Sequence, residues 1–438
     1  MAGGNFVTQN KVRPGVYINF VGEGKPVGSV GDRGIMAMAL SLSWGASKQV
    51  VAINAGDDVS ATLGYDITAA QLLLVKEALK RVKTVLLYRL NTGTKALVTT
   101  GNLTATAKYG GLRGNSLTIV ISINVDDAAK FDVKTILSGV VMNTQTVANI
   151  AGLVSNDWVV FTGTGALAAT AGAPLISGVD GVVTNGDHTD FMAAIELQEF
   201  NTMAYSGTAS DLKSLYVAFV KRLRDDEGKK LQLVLENYPT ADYEGVISVK
   251  NGVILSDGTT LTAAQSTAWV AAATAGAQMN ESLTFDNYDD AVDVGTRYTN
   301  AQIEAAILAG EFVFVPSEGR ARIEMDINSF TSFTPTKGKA FRKNRVLRLL
   351  DGINNDFKRI FESFYIGKLD NNADGRGLLQ TEYIQYLKSL QVINAIQNFN
   401  PQTDVSVHQG IEADSVYVEL NVQPVDAVEK IYMKVTVK

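Results

Sequence analysis

Apolar residues at Leu72, Val75, Leu79 and Val82 repeat at spacings of three and four and run directly into the apolar stretch Thr84–Leu90. That is an amphipathic helix handing over to a buried strand. The pattern resumes after Gly181, with a helix at about 188–200, a strand near Thr202–Tyr205, a helix over Ser210–Arg224 and a strand at Lys230–Leu235. Further on, Val246–Val249 and Glu311–Val315 read as strands, and Thr262–Gly276 and Thr299–Leu308 as helices. Helices alternating with apolar strands predict a largely parallel sheet covered on both faces, to which the apolar run Ile35–Leu42 before Trp44 adds another buried segment. Between the two stretches, residues 94–182 turn rich in Thr, Val, Ala and Gly, with strand-like runs at Ser116–Val125, Phe131–Ile136 and Trp158–Phe161. This reads as a β-rich insertion.

A third region begins near Ser329. Val346, Leu349, Leu350, Ile353, Phe357, Ile360, Phe361 and Phe364 form one long amphipathic stripe within 339–369, and a second helix covers Leu378–Asn398. The chain then alternates strongly over Ser415–Val422 and Lys430–Val437, which predicts two strands. At the other end Arg13-Pro14-Gly15 is a turn signal ahead of the β-prone run Val16–Val21. Short β-prone ends of this kind pair within their own chain or add a strand to another subunit's sheet.

The chain has 438 residues, enough for two to four domains, and its 46% hydrophobic and 19% charged residues are those of a folded protein. It contains no cysteine, which excludes disulfides, thiolate metal sites and Cys nucleophiles. Lys plus Arg number 39 against 45 Asp plus Glu, so there is no global attraction to nucleic acid or anionic lipid. No stretch approaches the ~20 apolar residues of a membrane span and the first twenty residues lack the apolar run of a signal peptide, so the expectation is a protein of cytosol-like solvent, with no membrane insertion and no direct nucleic-acid partner.

Few residues suggest chemistry. His188 and His408 are the only histidines, and neither has a second histidine at helical spacing for a metal. His188 lies in Asn185-Gly186-Asp187-His188-Thr189-Asp190, which reads as a helix N-terminus. Gly22-Glu23-Gly24-Lys25 lacks phosphate-loop spacing and runs into Pro26. Asp370-Asn371-Asn372-Ala373-Asp374-Gly375 copies the start of a calcium loop, but the position that needs the bidentate acid is Thr381, with Glu382 one step late, so it reads as a polar interhelical turn. No catalytic, cofactor or metal residues are assigned. The strongest charge feature is Lys337, Lys339, Arg342, Lys343, Arg345 and Arg348, six cations within twelve residues with no acid among them. It is either a solvated helix face or a docking surface for an acidic partner.

Several segments together resemble the contractile tail sheath proteins of myophages, phage-tail-like bacteriocins and defective prophages. They are Arg13–Tyr17, Tyr109-Gly110-Gly111-Leu112-Arg113-Gly114-Asn115, Leu175-Ile176-Ser177-Gly178-Val179-Asp180-Gly181, Ala271–Leu283, Asp326–Thr334 and Asn344–Asp351. Val179 stands where the family often has a second Gly, and Gly110 where Pro or an acid is common. The resemblance implies a multidomain α/β plus α+β chain: a linking arm at 1–24, a subtilisin-like α/β domain at 25–93 and 183–328, the inserted β-rich domain at 94–182, a tube-facing α+β domain at 329–424, and a linking strand at 425–438. It implies a structural subunit, not an enzyme, needing no cofactor, that polymerises helically around a tail tube and contracts to drive the tube through a bacterial envelope. The implied partners are neighbouring sheath subunits, the tail tube protein, and baseplate and tail terminator proteins, in a virion or tail-like particle assembled in the bacterial cytoplasm. Intersubunit strands then fall on Val16, Tyr17, Ile18, Phe20 and Val21 and on Ile431, Met433, Val435 and Val437, and tube contact on Lys339, Arg342, Lys343, Arg345 and Arg348. Two other readings compete: a hydrolase built on the α/β domain with His188 as base, and a calcium-dependent surface protein resting on Asp370–Asp374.

Overall fold

The computed structural model describes residues 2–4, 15–17 and 33–437. The chain forms two compact units, one of Asp32–Asn355 with Pro424–Lys438, the other of Met1–Gly31 with Asp356–Gln423.

The larger unit is built on a seven-stranded sheet of β1 (Ile35–Leu40), β2 (Val50–Asn54), β3 (Thr84–Arg89), β4 (Thr202–Ala204), β5 (Gln232–Glu236), β6 (Val246–Val249) and β7 (Glu311–Phe312). Their order is β7-β6-β5-β4-β1-β3-β2. Every pairing is parallel except β2 with β3. Successive side chains on a strand point to opposite faces, so a sheet covered on both sides is apolar at every position. Accordingly Met36, Met38, Val85, Leu87 and Val234 enter one core while Ala37, Leu86, Tyr88, Leu233 and Leu235 enter the other.

Besides a single turn at Ser60–Leu63, the α-helices among the described residues are α1 (Leu73–Leu79), α2 (Asn185–Glu196), α3 (Ser210–Lys221), α4 (Ala263–Gly276), α5 (Asn300–Leu308), α6 (Asn344–Phe364) and α7 (Ala373–Val392). α1 and α4 cover the first face, α2 and α3 the second. α4 is buried nearly all round, which its run of alanines permits by letting backbones approach closely. A capping box starts it, Thr262 accepting from the Gln265 N–H at 3.2 Å and Gln265 from the Thr262 N–H at 3.0 Å.

The insertion folds as a β-sandwich. A four-stranded sheet runs Val140–Val147, Phe131–Leu137, Leu117–Ile123, Thr170–Pro174, and a three-stranded one Val159–Gly163, Leu103–Ala107, Leu97–Thr100. Alternate residues such as Leu103, Ala105 and Ala107 on one sheet and Leu117, Ile119 and Ile121 on the other fill the space between. Trp44, which belongs to the α/β part, enters the same core, edge-on to Tyr109 at 5.4 Å and beside Trp158 at 5.4 Å.

The joint between sandwich and sheet is tight. Gly93–Thr94 and Val179–Asp180 pair where the chain enters and leaves the sandwich. Buried Arg89 donates to the carbonyls of Gly45 at 2.8 Å and Gly110 at 2.7 Å. Asp180 accepts from the Ser43 hydroxyl at 2.7 Å and the Leu112 N–H at 3.0 Å, and the Asn115 side chain makes reciprocal 2.8 Å bonds with the backbone of Gly178. The two motifs singled out at 109–115 and 175–181 are therefore two halves of one joint. Backbones meet there without room for side chains: a Cβ on Gly110 would lie 2.0 Å from the Gly93 carbonyl oxygen.

In the smaller unit, the part of α6 from Asp356 packs on α7 through Phe357 and Phe361 against Tyr383 at 4.7 and 4.6 Å, and Tyr386 donates to Asp356 at 2.7 Å. Asn372 caps α7, accepting from the Gly375 N–H at 2.8 Å, and Asn371 donates to the carbonyls of Ala413 and Ser415 at 2.8 Å each, so 370–375 works as the polar turn its spacing predicts. A hairpin of Val405–Gln409 and Val416–Leu420 completes the unit, with His408 opposite Tyr417.

Gly110→Ala should lower stability by about 1–3 kcal/mol, because the added methyl meets backbone that cannot turn aside. Gly338→Ala, whose Cβ would find nothing within 4 Å, should stay within about 0.5 kcal/mol of the parent in the same urea titration.

Candidate assembly surfaces

Around the start of α6 the basic cluster divides. Asp326 and Asn344 are fully buried, and the Asp326 carboxylate accepts from the Asn344 side chain at 2.8 Å and the Leu283 N–H at 3.1 Å. Arg348, only 1% exposed, lies 3.4 Å from the same carboxylate and donates to the Glu281 carbonyl at 2.6 Å. One turn on, Asp351 takes a two-pronged ion pair from buried Arg224 at 2.6 and 2.9 Å. Asn344, Arg348 and Asp351 follow one another at four and three residues, so a polar stripe faces inward and fastens α6 to the α/β domain. Arg348 is thus corrected from a surface contact to an interior anchor: its charge is spent on Asp326.

The other cations stay at the surface to different degrees. Lys339 is exposed. Lys337 pairs with Glu244, and Lys343 with Glu429, with Asp426 at 3.9 Å. Arg342 and Arg345 are half-buried, and Nε and Nη2 of Arg342 and Nε of Arg345 are buried without a hydrogen-bond partner. Burial pulls both guanidinium pKa values down, Asp426 opposing this at Arg345.

The C-terminal strand predicted over Lys430–Val437 has no pairing partner among the described residues. Those residues run without a ladder, and Ile431, Met433, Val435 and Val437 are 75–90% exposed. The β pattern is present without a ladder among the described residues. In the smaller unit, the hairpin 405–420 likewise has no third strand among the described residues, and a cleft of about 410 Å³ lined by Phe361, Tyr365, Tyr383, Val416 and Val418 opens beside it. At the N-terminus Gly15–Tyr17 pairs in parallel with Ala2–Gly4, so Val16 and Tyr17 do lie on a strand. Ile18, Phe20, Val21 and the Gly22–Lys25 segment fall outside the described residues.

His188 gives the hydrolase reading no support. Its Nδ1 is 2.9 Å from the Tyr216 hydroxyl, and its ring lies edge-on to Tyr205 and Tyr216, so a tyrosine occupies the place a nucleophilic serine would need. Burial lowers its pKa, with Asp187 opposing and Lys48 reinforcing the shift. Among the described residues no cluster of three metal-ligating side chains occurs, and no helix is long and apolar enough to cross a membrane.

What the fold and these surfaces define is a multidomain mixed α/β subunit with an inserted β-sandwich and unpaired β edges. Profiles of sheath domains match it in succession: the tail sheath protein Gp18 domain III N-terminal region at 33–90, the phage tail sheath protein beta-sandwich domain at 91–180, the phage tail sheath protein central domain at 181–329 and the phage tail sheath C-terminal domain at 336–438. The chain belongs to the phage tail sheath family. The Phage-like element PBSX protein XkdK of Bacillus subtilis is 39% identical, with the whole of both chains covered. The crystal structure of a sheath tail protein from Desulfitobacterium hafniense is 61% identical, covers 97% of this chain and 100% of its own, and superposes with a TM-score of 0.88. One from Listeria innocua is 40% identical over 93% and 95%, with a TM-score of 0.81. The helical sheath of the anti-feeding prophage in its contracted state shares the fold at a TM-score of 0.57 and 13% identity, over 97% and 99%.

Two outcomes test this assignment of roles. Asp351→Ala strands Arg224 in the interior and should cost about 3–5 kcal/mol, whereas Lys339→Ala should stay within about 0.5 kcal/mol, both read by chemical unfolding. Because the folded His188 pKa is depressed, the unfolded chain binds the extra proton; stability is full above the ordinary value near 6.5 and falls as pH drops below it. His188→Gln should flatten the stability profile between about pH 7 and 5.5.

Proposed function

We propose that this protein is the sheath subunit of a contractile tail or tail-like particle, polymerising helically around a tail tube and contracting to drive the tube through a bacterial envelope. The observation that carries the reading is the C-terminal tail, a β-patterned segment left exposed and without a ladder among the described residues, outside a well-packed interior. A soluble monomer gains nothing from such an edge, whereas a polymer gains a ladder of main-chain hydrogen bonds. Val16–Val21 and Ile431–Val437 are the intersubunit strands, completing the α+β C-terminal domain of adjoining copies.

The domains divide at 1–24, 25–93 with 183–328, 94–182, 329–424 and 425–438, and the α/β domain is subtilisin-like in fold without catalysis. The partners are further copies of the chain, the tail tube protein, and baseplate and tail terminator proteins at the two ends. Assembly takes place in the bacterial cytoplasm, with no cofactor, direct nucleic-acid contact or membrane insertion. Tube contact falls on Lys339, Arg342, Lys343 and Arg345, of which Arg342 and Arg345 have buried donors still open. Contraction is a linked population shift, in which each ring that changes forms contacts favouring change in the next.

Negative-stain electron microscopy of the purified chain should show hollow helical tubes that disappear on removal of residues 1–22. Persistent monomers, or tubes indifferent to the truncation, would count against arm-linked polymerisation. Arg342→Glu with Arg345→Glu should leave folding intact and reduce assembly on co-expressed tube protein several-fold at low salt, the difference from the parent shrinking as salt is raised.

A further inference from the structure

The arm's exposed residues begin immediately after a residue that is held fast. Glu429 is nearly buried at its carboxylate. One oxygen accepts from the Thr284 hydroxyl at 3.0 Å and the other is ion-paired with Lys343, toward which Asp426 also turns at 3.9 Å. Both partners sit at structural junctions. The Lys343 carbonyl accepts the Leu347 N–H at 2.9 Å, so Lys343 is the residue from which α6 starts at Asn344. The Thr284 hydroxyl accepts the Asp326 N–H at 3.0 Å, and Asp326 holds Asn344 and Arg348.

We propose that Glu429, Lys343 and Thr284 form a clamp that positions the C-terminal arm, fixing the point at which it leaves its own subunit for a neighbouring copy of this chain. This rests on the reading that the arm links subunits. A segment of eight extended residues reaches about 26 Å. Over so short a reach, the place and direction of departure decide whether it meets the next copy in register. Charge-assisted hydrogen bonds hold geometry better than neutral ones, and a clamp at the root keeps the unpaired arm from collapsing onto its own subunit. The same bonds join the arm root to the first turn of α6, so a neighbour's hold on the arm is passed to the helix that leads into the smaller unit.

The test uses the full chain, Glu429→Ala, Lys343→Ala, the double variant, and a chain ending at Glu429, each carrying a nitroxide on Val428→Cys, the sole cysteine of the labelled protein. The label should become several-fold more mobile in each single variant, and the double variant should be no worse than either, since both remove one coupled contact. Polymer recovered by pelleting should fall several-fold in those three, with unchanged unfolding midpoints to within a degree or two, while the truncated chain should lose polymer and keep the label as immobile as in the parent. Unchanged mobility in Glu429→Ala overturns the clamp. So does a freed label with undiminished polymer when the truncated chain fails to polymerise. If the truncated chain polymerises like the parent, the linkage reading fails instead, and the label mobility still judges the clamp.

Discussion

The buried carboxylate of Asp326 is the interaction on which the larger unit turns. An ionised group out of water is costly by several kcal/mol unless its oxygens are satisfied. Here one oxygen takes the Asn344 amide and the other the Leu283 N–H and the Arg348 guanidinium, so the charge is both paired and hydrogen-bonded. Those three donors come from separate stretches of chain: the segment after α4 supplies Leu283, and the start of α6 supplies Asn344 and Arg348. Only one relative placement satisfies them all. Asp351 with Arg224 and the Asn344 amide oxygen with Gln232 at 3.0 Å extend the same fastening to α3's end and to β5. Hydrophobic burial drives the packing, but these polar contacts decide its register, because an offset by one residue would leave a charge unpaired.

A second fastening, at the sandwich, works by the opposite means. There backbone carbonyls accept from Arg89 and Asn115, and glycines at 93, 110, 111 and 178 remove the side chains that would hold the strands apart. Trp44 crosses from one domain into the other's core, so neither core is complete alone. The sandwich is therefore joined to the α/β domain by paired strands, a shared aromatic cluster and a buried cation, and not by a pair of loose linkers.

How much of this was legible follows from what hydropathy can express. The helix over Ala263–Gly276 and the strand Val246–Val249 were read from their apolar patterns, since both are buried on all sides. Val140–Val147 was missed because its second half is uncharged and polar, yet Ser138-Gly139 just before it, at φ of 50° and 89°, was an available sign of a tight hairpin. Arg348 was read as part of a surface patch because a polar stripe at helical spacing looks the same whether it meets water or a buried carboxylate. Only the partner Asp326, eighteen residues before Asn344 in the chain, separates the two, and nothing local announces it. The family motifs at 326–334 and 344–351 were recognisable as segments, but their being two sides of one polar network is a fact of the fold.

The distribution of satisfied and unsatisfied groups bears on how such a subunit can change its neighbours without changing itself. Interior charges at Asp326, Arg348, Arg224 and Asp351 are all matched within the chain, and breaking any of them would cost more than a surface contact returns. At the periphery the guanidinium donors of Arg342 and Arg345, the exposed β-patterned segment 431–437 and the two-stranded hairpin 405–420 are left open among the described residues. In the polymer proposed above, exchange of peripheral contacts is the inexpensive route to rearrangement, since individually weak, salt-screened pairs are cheap to trade while the interior is not. The arm is the exception among the peripheral elements. Its root is clamped by Glu429 to the same network that holds α6, so its outer end is free to pair with a neighbour while its inner end moves only with the body of the subunit. A segment tied in this way resists sliding along its axis and tolerates swivelling about its root, the combination that the proposed linkage between copies requires when the angle between them changes.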